Sequence, residues 1–228
     1  MLLHGFPQFW YAWRRQLPAL ARTHHVVALD LRGYNLSDRP ARGYDIVTLS
    51  DDIRGVIAAL GEGEATLVGH DWGGLVAWAT AIRAPDVVSR LAILNAPHPA
   101  VALRHGRSLA QMRRSSYIGF FQLRGLAERA IARDDFAALR RIFRVDDPAG
   151  AWLSDVDIDR YVAALGRPGA LEAALAYYRA LPRANSFLTL SPMRVLHMPT
   201  LVLWGELDRA LGVPLLDGLD HWASDLRV

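Results

Sequence analysis

The chain has 228 residues, of which 52% are hydrophobic, so it suits one large α/β domain and excludes two such domains. It has no cysteine, which excludes disulfides and thiolate metal sites, and no apolar run long enough to cross a membrane. From these absences we expect a cytoplasmic protein that binds no membrane. The net charge is +3 and all 26 basic residues are arginine, as in GC-rich bacteria. No aromatic stacking platform accompanies the arginines, so we expect no binding of nucleic acid.

Short apolar runs alternate with helical patterns through the first hundred residues and return near residue 200. Strands are predicted at residues 1–3, 26–30, 65–69, 91–95 and 200–205. Helices are predicted near residues 11–21, 49–60 and 75–84. This alternation predicts an α/β fold with a mostly parallel sheet and helices on both faces.

The strand pattern disappears between Pro97 and Pro199, where helical segments break at Pro148, at residues 167–169 and at Pro182. We interpret this stretch as an α-helical cap inserted between two core strands. The chain is therefore predicted to contain a first core part (1–97), a helical cap (98–198) and a second, incomplete core part (199–228). Residues 1–3 and 226–228 resemble strand stubs, which predicts that both ends cut through the fold.

Residues 69–74, Gly-His-Asp-Trp-Gly-Gly, form the most informative segment of the chain. They follow a predicted strand and precede a predicted helix, so Asp71 lies where a strand turns sharply into a helix. Gly69 and Gly73 leave room where a Cβ would crowd such a turn. The pattern predicts a nucleophile elbow in which the free N–H groups of the helix point at the Asp71 carboxylate.

Three further motifs follow predicted strands. Residues 4–7 are His-Gly-Phe-Pro, residues 30–35 are Asp-Leu-Arg-Gly-Tyr-Asn, and residues 95–99 are Asn-Ala-Pro-His-Pro. Together with the elbow, these motifs resemble the epoxide hydrolase branch of the α/β-hydrolase superfamily over essentially the whole chain. The resemblance implies an α/β-hydrolase fold. Asn35 stands where that family has glycine, and asparagine also tolerates a positive φ.

The resemblance implies hydrolysis of a small apolar epoxide to a vicinal diol, without a metal or an organic cofactor. Asp71 would form an alkyl ester with an epoxide carbon. The backbone N–H groups of Phe6 and Trp72 would hold the oxyanion when water cleaves that ester. Asp208, which follows the predicted strand near residue 200, resembles the family's charge-relay acid, and Glu206 is the weaker alternative.

Two tyrosines of the predicted cap resemble the family's proton donors, namely Tyr178, preferred over Tyr177, and its partner Tyr117. Ring opening needs a donor because an alkoxide is a poor leaving group. We place His4, Trp72 and Phe121 around the substrate pocket.

The histidine of the triad is expected after Asp208, and His221 is the only histidine there. It lies 13 residues after Asp208, whereas the family places its base about twice as far away. Residues 213–223 instead predict a helix, with His221 on its surface. We therefore expect the catalytic histidine to be absent from this chain, with His221 as a weak alternative. His4, His70 and His98 precede the acid and suit supporting roles better.

Two other functions are compatible with these residues. A haloalkane dehalogenase shares the aspartate nucleophile and would use the Trp72 indole to bind halide, whereas a fluoroacetate dehalogenase would carry arginine at that position. A catalytically silent fragment that retains only a ligand pocket is the alternative favoured by the expected absence of a histidine base.

Overall fold

The computed structural model of the chain describes residues 1–145, 147, 152–182, 187–190 and 192–228. The described strands are β1 (Leu2–Leu3), β2 (Ala28–Leu29), β3 (Ala65–His70), β4 (Val88–Leu94), β5 (Thr200–Leu203) and β6 (Leu226–Arg227). They form one parallel sheet in the order β2-β1-β3-β4-β5-β6. The predicted parallel sheet is confirmed.

The position of β1 determines where a ligand can bind. β1 pairs with β2 on one side and β3 on the other, so the winding of the sheet reverses there. In parallel α/β sheets such a reversal leaves a crevice outside the carboxyl ends of the strands. The segments that follow β1 and β3, which carry Phe6 and Asp71, therefore meet at this crevice.

Helices flank the sheet and fill the long connection between β4 and β5. The described α-helices are α1 (Leu17–Leu20), α2 (Ile46–Ala59), α3 (Trp72–Arg83), α4 (Pro99–His105), α5 (Leu109–Arg114), α6 (Ser116–Phe121), α7 (Leu126–Val145), α8 (Asp155–Leu165) and α9 (Ala170–Ala180). Short 3₁₀ helices lie at Trp10–Trp13, Pro85–Val87, Leu188–Leu190, Val213–Leu216 and Leu219–His221. None of the helices in the described part of the chain is both long and apolar enough to cross a membrane.

Helix α3 is buried along nearly its whole length, and it supports the crevice from below. Its small residues permit close packing, since a Cβ built on Gly74 would lie 2.4 Å from the Cβ of Ala96. The fully buried Trp78 donates its indole N–H to the carbonyl oxygen of Ala96 at 3.1 Å. A tightly packed helix of this kind holds its own N-terminus, and therefore Asp71, in a fixed position.

Two predicted helices differ from the structure. The stretch 11–21 forms a 3₁₀ turn and then α1, because Pro18 has no N–H to continue a longer helix. The stretch 213–223 forms two 3₁₀ helices separated at Gly218, whose φ of 79° interrupts helical geometry. His221 therefore lies in a short 3₁₀ turn and not on the predicted longer helix.

The helical segment between β4 and β5 packs on the core. As predicted, helices end near residues 167–169 and Pro182, since α8 ends at Leu165 and α9 ends at Ala180. The predicted break at Pro148 falls outside the described residues. The Tyr177 hydroxyl donates to the carbonyl oxygen of Arg32 at 2.7 Å, which fixes α9 against the loop after β2. Asn35 in that loop has a φ of 42°, in agreement with its predicted tolerance of positive φ.

Two buried histidines make the stability of the fold depend on pH. Burial lowers the pKa of His4 and of His98 to about 4 each. His98 Nδ1 accepts the N–H of Ala100 at the start of α4, and His4 Nε2 accepts the N–H of Leu31. Both rings must therefore be neutral in the folded chain.

We expect the free energy of unfolding to fall as the pH drops from about 6.5 to about 4, because the unfolded chain then binds protons that the folded chain excludes. Each histidine should contribute on the order of 2 to 3 kcal/mol to this loss. Urea unfolding at a series of pH values measures it. His98→Asn keeps a helix-capping acceptor and should flatten the curve, whereas exposed His221→Asn should leave it unchanged. Equal curves for all three chains would contradict this assignment.

Candidate active site

Asp71 lies at a sharp turn between β3 and α3. Its φ of 52° and ψ of −119° lie in a sparsely populated region of backbone space, which is typical of a strained functional turn. The flanking glycines allow this turn. A Cβ on Gly69 would lie 2.4 Å from the carbonyl oxygen of Gly73, and a Cβ on Gly73 would lie 2.2 Å from that of Leu3.

We expect Gly69→Ala to lower the free energy of unfolding by about 1–3 kcal/mol, because its Cβ would overlap backbone atoms that cannot move aside. Gly55→Ala in α2 is the matched control, since no heavy atom lies within 4 Å of its Cβ. It should stabilise the helix by up to about 1 kcal/mol. Denaturant unfolding compares the two, and equal effects would show that the elbow is not tightly packed.

The Asp71 carboxylate is held by backbone N–H groups. Its Oδ1 accepts the N–H of Phe6 at 2.8 Å. Gly5 permits this approach, because a Cβ there would lie 2.5 Å from the same oxygen. Loss of water contact raises the pKa of Asp71 above its ordinary value, while His70 and the N–H groups of Phe6 and Trp72 act in the opposite direction. The two predicted oxyanion donors thus surround the predicted nucleophile.

A cavity of about 230 Å³ opens above Asp71 between the sheet and the helical segment. Most of its lining is apolar, and its polar members are few. It is lined by Asp71, Trp72, Leu75, Ala96, Pro97, Ala102, Gly106, Gln111, Ser115, Tyr117, Ile118, Tyr178, Leu181, Phe187, Leu211 and Leu215. An apolar cavity with a few convergent polar groups is typical of a small-molecule site.

The structure places two of the three predicted pocket residues differently. Trp72 lines the cavity, but His4 is fully buried and is not part of the lining. Its Nε2 is used by Leu31, which makes His4 a support for the loop after β2. Phe121 also lies outside the lining. Its ring packs against two other rings, with centroid distances of 4.9 Å to Tyr178 and 5.7 Å to Phe6.

Tyr117 and Tyr178 share this cavity with Asp71. Their ring centroids are 5.8 Å apart, and the Tyr178 ring lies 5.2 Å from the Trp72 ring. Burial raises the pKa of both phenols, and the charge of Asp71 adds to the effect. Both hydroxyls therefore keep their protons near neutral pH. Tyr177 points elsewhere, because its hydroxyl is bound to the Arg32 carbonyl.

Asp208 lies in the loop after β5, and both of its carboxylate oxygens are occupied. Oδ1 accepts the N–H groups of Ala210 and Leu211 at 2.8 Å each, and Oδ2 accepts the side-chain N–H of Asn95 at 2.6 Å. Helix α5 holds the same loop, since Gln111 donates to the carbonyl oxygen of Ala210 at 2.7 Å. Neither the role of Asn95 nor that of Gln111 was predicted from the sequence, because these contacts join distant parts of the chain.

The histidines near the sheet edge and near the C-terminal segment have partners other than Asp208. His221 is exposed and its Nδ1 lies 3.2 Å from the Asp220 carboxylate. His70 Nδ1 lies 3.3 Å from Gln8 Oε1, and His98 stacks on Trp222 with ring centroids 5.3 Å apart. Across the described ranges, no hydrogen bond or ion pair joins a histidine to the Asp208 carboxylate. The same residues contain no cluster of three or more His, Asp or Glu side chains suited to a metal ion.

The chain is similar in sequence to known α/β hydrolases. A family model described as alpha/beta hydrolase fold matches residues 1–227. Epoxide hydrolase 4 of Mus musculus is 39% identical over 231 residues, which cover 95% of this chain and 61% of that protein. The AB hydrolase superfamily protein YfhM of Bacillus subtilis (strain 168) is 40% identical over 216 residues, covering 92% of this chain and 74% of that protein. The chain thus spans about three-fifths of the length of the mouse relative.

The chain is also similar to a solved structure. This structure is that of a point mutant of an epoxide hydrolase from Bacillus megaterium, complexed with its product (R)-3-(1-naphthyloxy)-propane-1,2-diol. The TM-score is 0.89 at 36% sequence identity, and the alignment covers 100% of this chain and 82% of that one.

Proposed function

The chain belongs to the α/β-hydrolase fold family as an epoxide hydrolase-like member, and we propose that it opens small apolar epoxides by attack of the Asp71 carboxylate. One observation carries the proposal. The Asp71 carboxylate, at a strand-to-helix elbow, shares an apolar cavity with the buried Tyr178 and the half-buried Tyr117. Because the pKa of both hydroxyls is raised, both stay protonated, and the cavity would hold a nucleophile together with its proton donors.

In the first half-reaction, the free oxygen of Asp71 attacks a ring carbon of the epoxide and forms an ester bond. The bond from that carbon to the ring oxygen breaks, and the oxygen takes a proton from a tyrosine hydroxyl. Tyr178 and Tyr117 suit this role because both line the cavity. The product is a hydroxyalkyl ester of Asp71, and water later returns the proton to the tyrosine.

In the second half-reaction, water attacks the ester carbonyl carbon. The charge that develops on Oδ1 would be held by the N–H groups of Phe6 and Trp72, the first of which already binds this oxygen. The diol then leaves with the former ester oxygen and Asp71 is regenerated. This step requires a base to deprotonate water, and in this proposal Asp208 would orient that base.

We propose that the 228-residue chain stalls before this second step. Within the part that the structure describes, none of its eight histidines forms a hydrogen bond or an ion pair with the Asp208 carboxylate, and the side chain of His221 is 75% exposed. The helical segment 98–198 serves in this proposal as the cap, since it supplies both tyrosines and the far wall of the cavity. A cytoplasmic location and a bacterial source stay predictions from the sequence.

The product bound to the Bacillus megaterium enzyme suggests a test substrate, 1-naphthyl glycidyl ether, which is the epoxide of that diol. Incubation of the chain with this epoxide should raise its intact mass by one epoxide unit. An unchanged mass, with the epoxide recovered intact, would argue that the chain is a silent binding module.

Trp72 supports a second candidate, a haloalkane dehalogenase-like enzyme, because its indole lines the cavity beside Asp71. That reaction also begins with an alkyl ester on the aspartate, but it releases halide and needs no proton donor. Halide release from a bromoalkane, measured beside epoxide adduct formation, separates the two candidates.

A further inference from the structure

Arg179, next to Tyr178 in α9, is buried, and its guanidinium joins three helices. Its Nε donates to the carbonyl oxygen of Phe121 at the end of α6, at 2.8 Å. Its Nη1 donates to Glu128 Oε1 near the start of α7, at 2.6 Å. The other oxygen of Glu128 accepts the N–H of Gly125 at 2.7 Å, so the carboxylate is fixed as well.

Gln122 makes the reciprocal contact. Its side-chain amide donates to the carbonyl oxygen of Tyr178 at 3.0 Å and to that of Ile118 at 3.1 Å. A side chain of α9 thus binds the backbone of α6, and a side chain that follows α6 binds the backbone of α9. These bonds fix how far each helix can slide along the other.

This arrangement matters because α6 carries Tyr117 and α9 carries Tyr178. A buried ion pair is weak evidence for stability, since the cost of removing both charges from water offsets their attraction. The fixed geometry of the Arg179–Glu128 pair is better explained by a role in positioning the helices, because the planar guanidinium donates hydrogen bonds only in set directions. Sliding α6 by a fraction of its helical rise would change the distance between the two hydroxyls.

We propose that Arg179, Glu128 and Gln122 form a clamp that positions Tyr117 and Tyr178 for epoxide opening. The inference rests on the proposed function and assigns these three as positioning residues, since none of them lines the cavity.

The test separates positioning from stability. Arg179→Met and Glu128→Met should each destabilise the fold, because the first leaves the half-buried Glu128 carboxylate unpaired and the second leaves the buried Arg179 guanidinium unpaired. The double variant Arg179→Met/Glu128→Met removes both charges and should recover most of the stability in urea unfolding. It should nevertheless alkylate Asp71 about 10 to 100 times more slowly at saturating epoxide, with the half-saturating concentration within about threefold of wild type.

Arg140→Met is the matched control. Arg140 forms exposed ion pairs with Asp135 and Asp159 elsewhere in the helical segment, and its loss should leave the alkylation rate unchanged. Glu128→Gln keeps an acceptor for Arg179 and should recover part of the rate. A double variant that is stable and alkylates at the wild-type rate would show that the ion pair is only structural, and would overturn the proposal.

Hydrogen exchange distinguishes this failure from failure of the proposed function. The amides of residues 119–123 should exchange faster in the double variant than in wild type or Arg140→Met. Unchanged exchange would show that no clamp exists. A different result is possible, in which the double variant exchanges faster but the wild-type chain forms no adduct. That result would refute the epoxide-opening function and with it the positioning role. The clamp would then be a structural contact only.

Discussion

Intact-mass spectrometry of the wild-type chain after incubation with excess 1-naphthyl glycidyl ether should give one covalent adduct, and Asp71→Asn should give none. The neutral amide is a far weaker nucleophile, and removal of a nucleophile lowers the reaction rate by about 10³ to 10⁶. The amide oxygen of Asn can still accept the Phe6 N–H, so the elbow should keep its fold. Proteolysis and peptide mass analysis should place the wild-type adduct on Asp71.

The same experiment tests whether the chain stalls. One adduct per chain that persists for hours, without accumulation of diol, is expected if no histidine activates water. His221→Ala should behave as wild type, because this side chain is exposed and paired with Asp220. Steady turnover that His221→Ala abolishes would show that His221 is the base and that the C-terminal segment moves to reach the site.

The elbow could be predicted from sequence because its determinants are local. The strand, the glycines and the helix lie within a few residues of Asp71, and each constrains the backbone directly. The choice of Tyr178 over Tyr177 depended on resemblance alone. Adjacent helical residues point in different directions, and only the packing of α9 shows that Tyr177 binds the Arg32 carbonyl while Tyr178 lines the cavity.

Contacts between distant segments could not be predicted from local patterns. Asn95 reaches Asp208 across 113 residues, and Gln111 reaches Ala210 across 99. Nothing near either residue in the sequence indicates such a partner. The predicted helix at 213–223 was wrong for a local reason, because Gly218 adopts a positive φ that the apolar pattern does not encode. Whether His4 and Phe121 line the cavity could not be predicted either, because this depends on the direction in which each side chain points.

The second large effect is expected from the tyrosines. Tyr178→Phe and Tyr117→Phe should each slow alkylation of Asp71 by an epoxide by about 10² to 10³, and the double variant should show no measurable adduct. Phenylalanine keeps the ring contacts but removes the hydroxyl that protonates the departing oxygen. Tyr177→Phe is the matched control, since its hydroxyl binds the Arg32 carbonyl and not the cavity. It should lose about 1 kcal/mol of stability and keep its alkylation rate.

A bromoalkane offered to the same variants tests the role of the hydroxyls. Bromide leaves without a proton, so alkylation of Asp71 by a bromoalkane should proceed equally well in wild type and in the Tyr117→Phe/Tyr178→Phe double variant. Loss of both reactions in the double variant would mean that the hydroxyls hold the cavity open and do not act as acids. If the epoxide still alkylates Asp71 in the double variant and bromide is released fast, the chain would be assigned to dehalogenation. The Trp72 indole beside Asp71 would then donate a hydrogen bond to the departing halide.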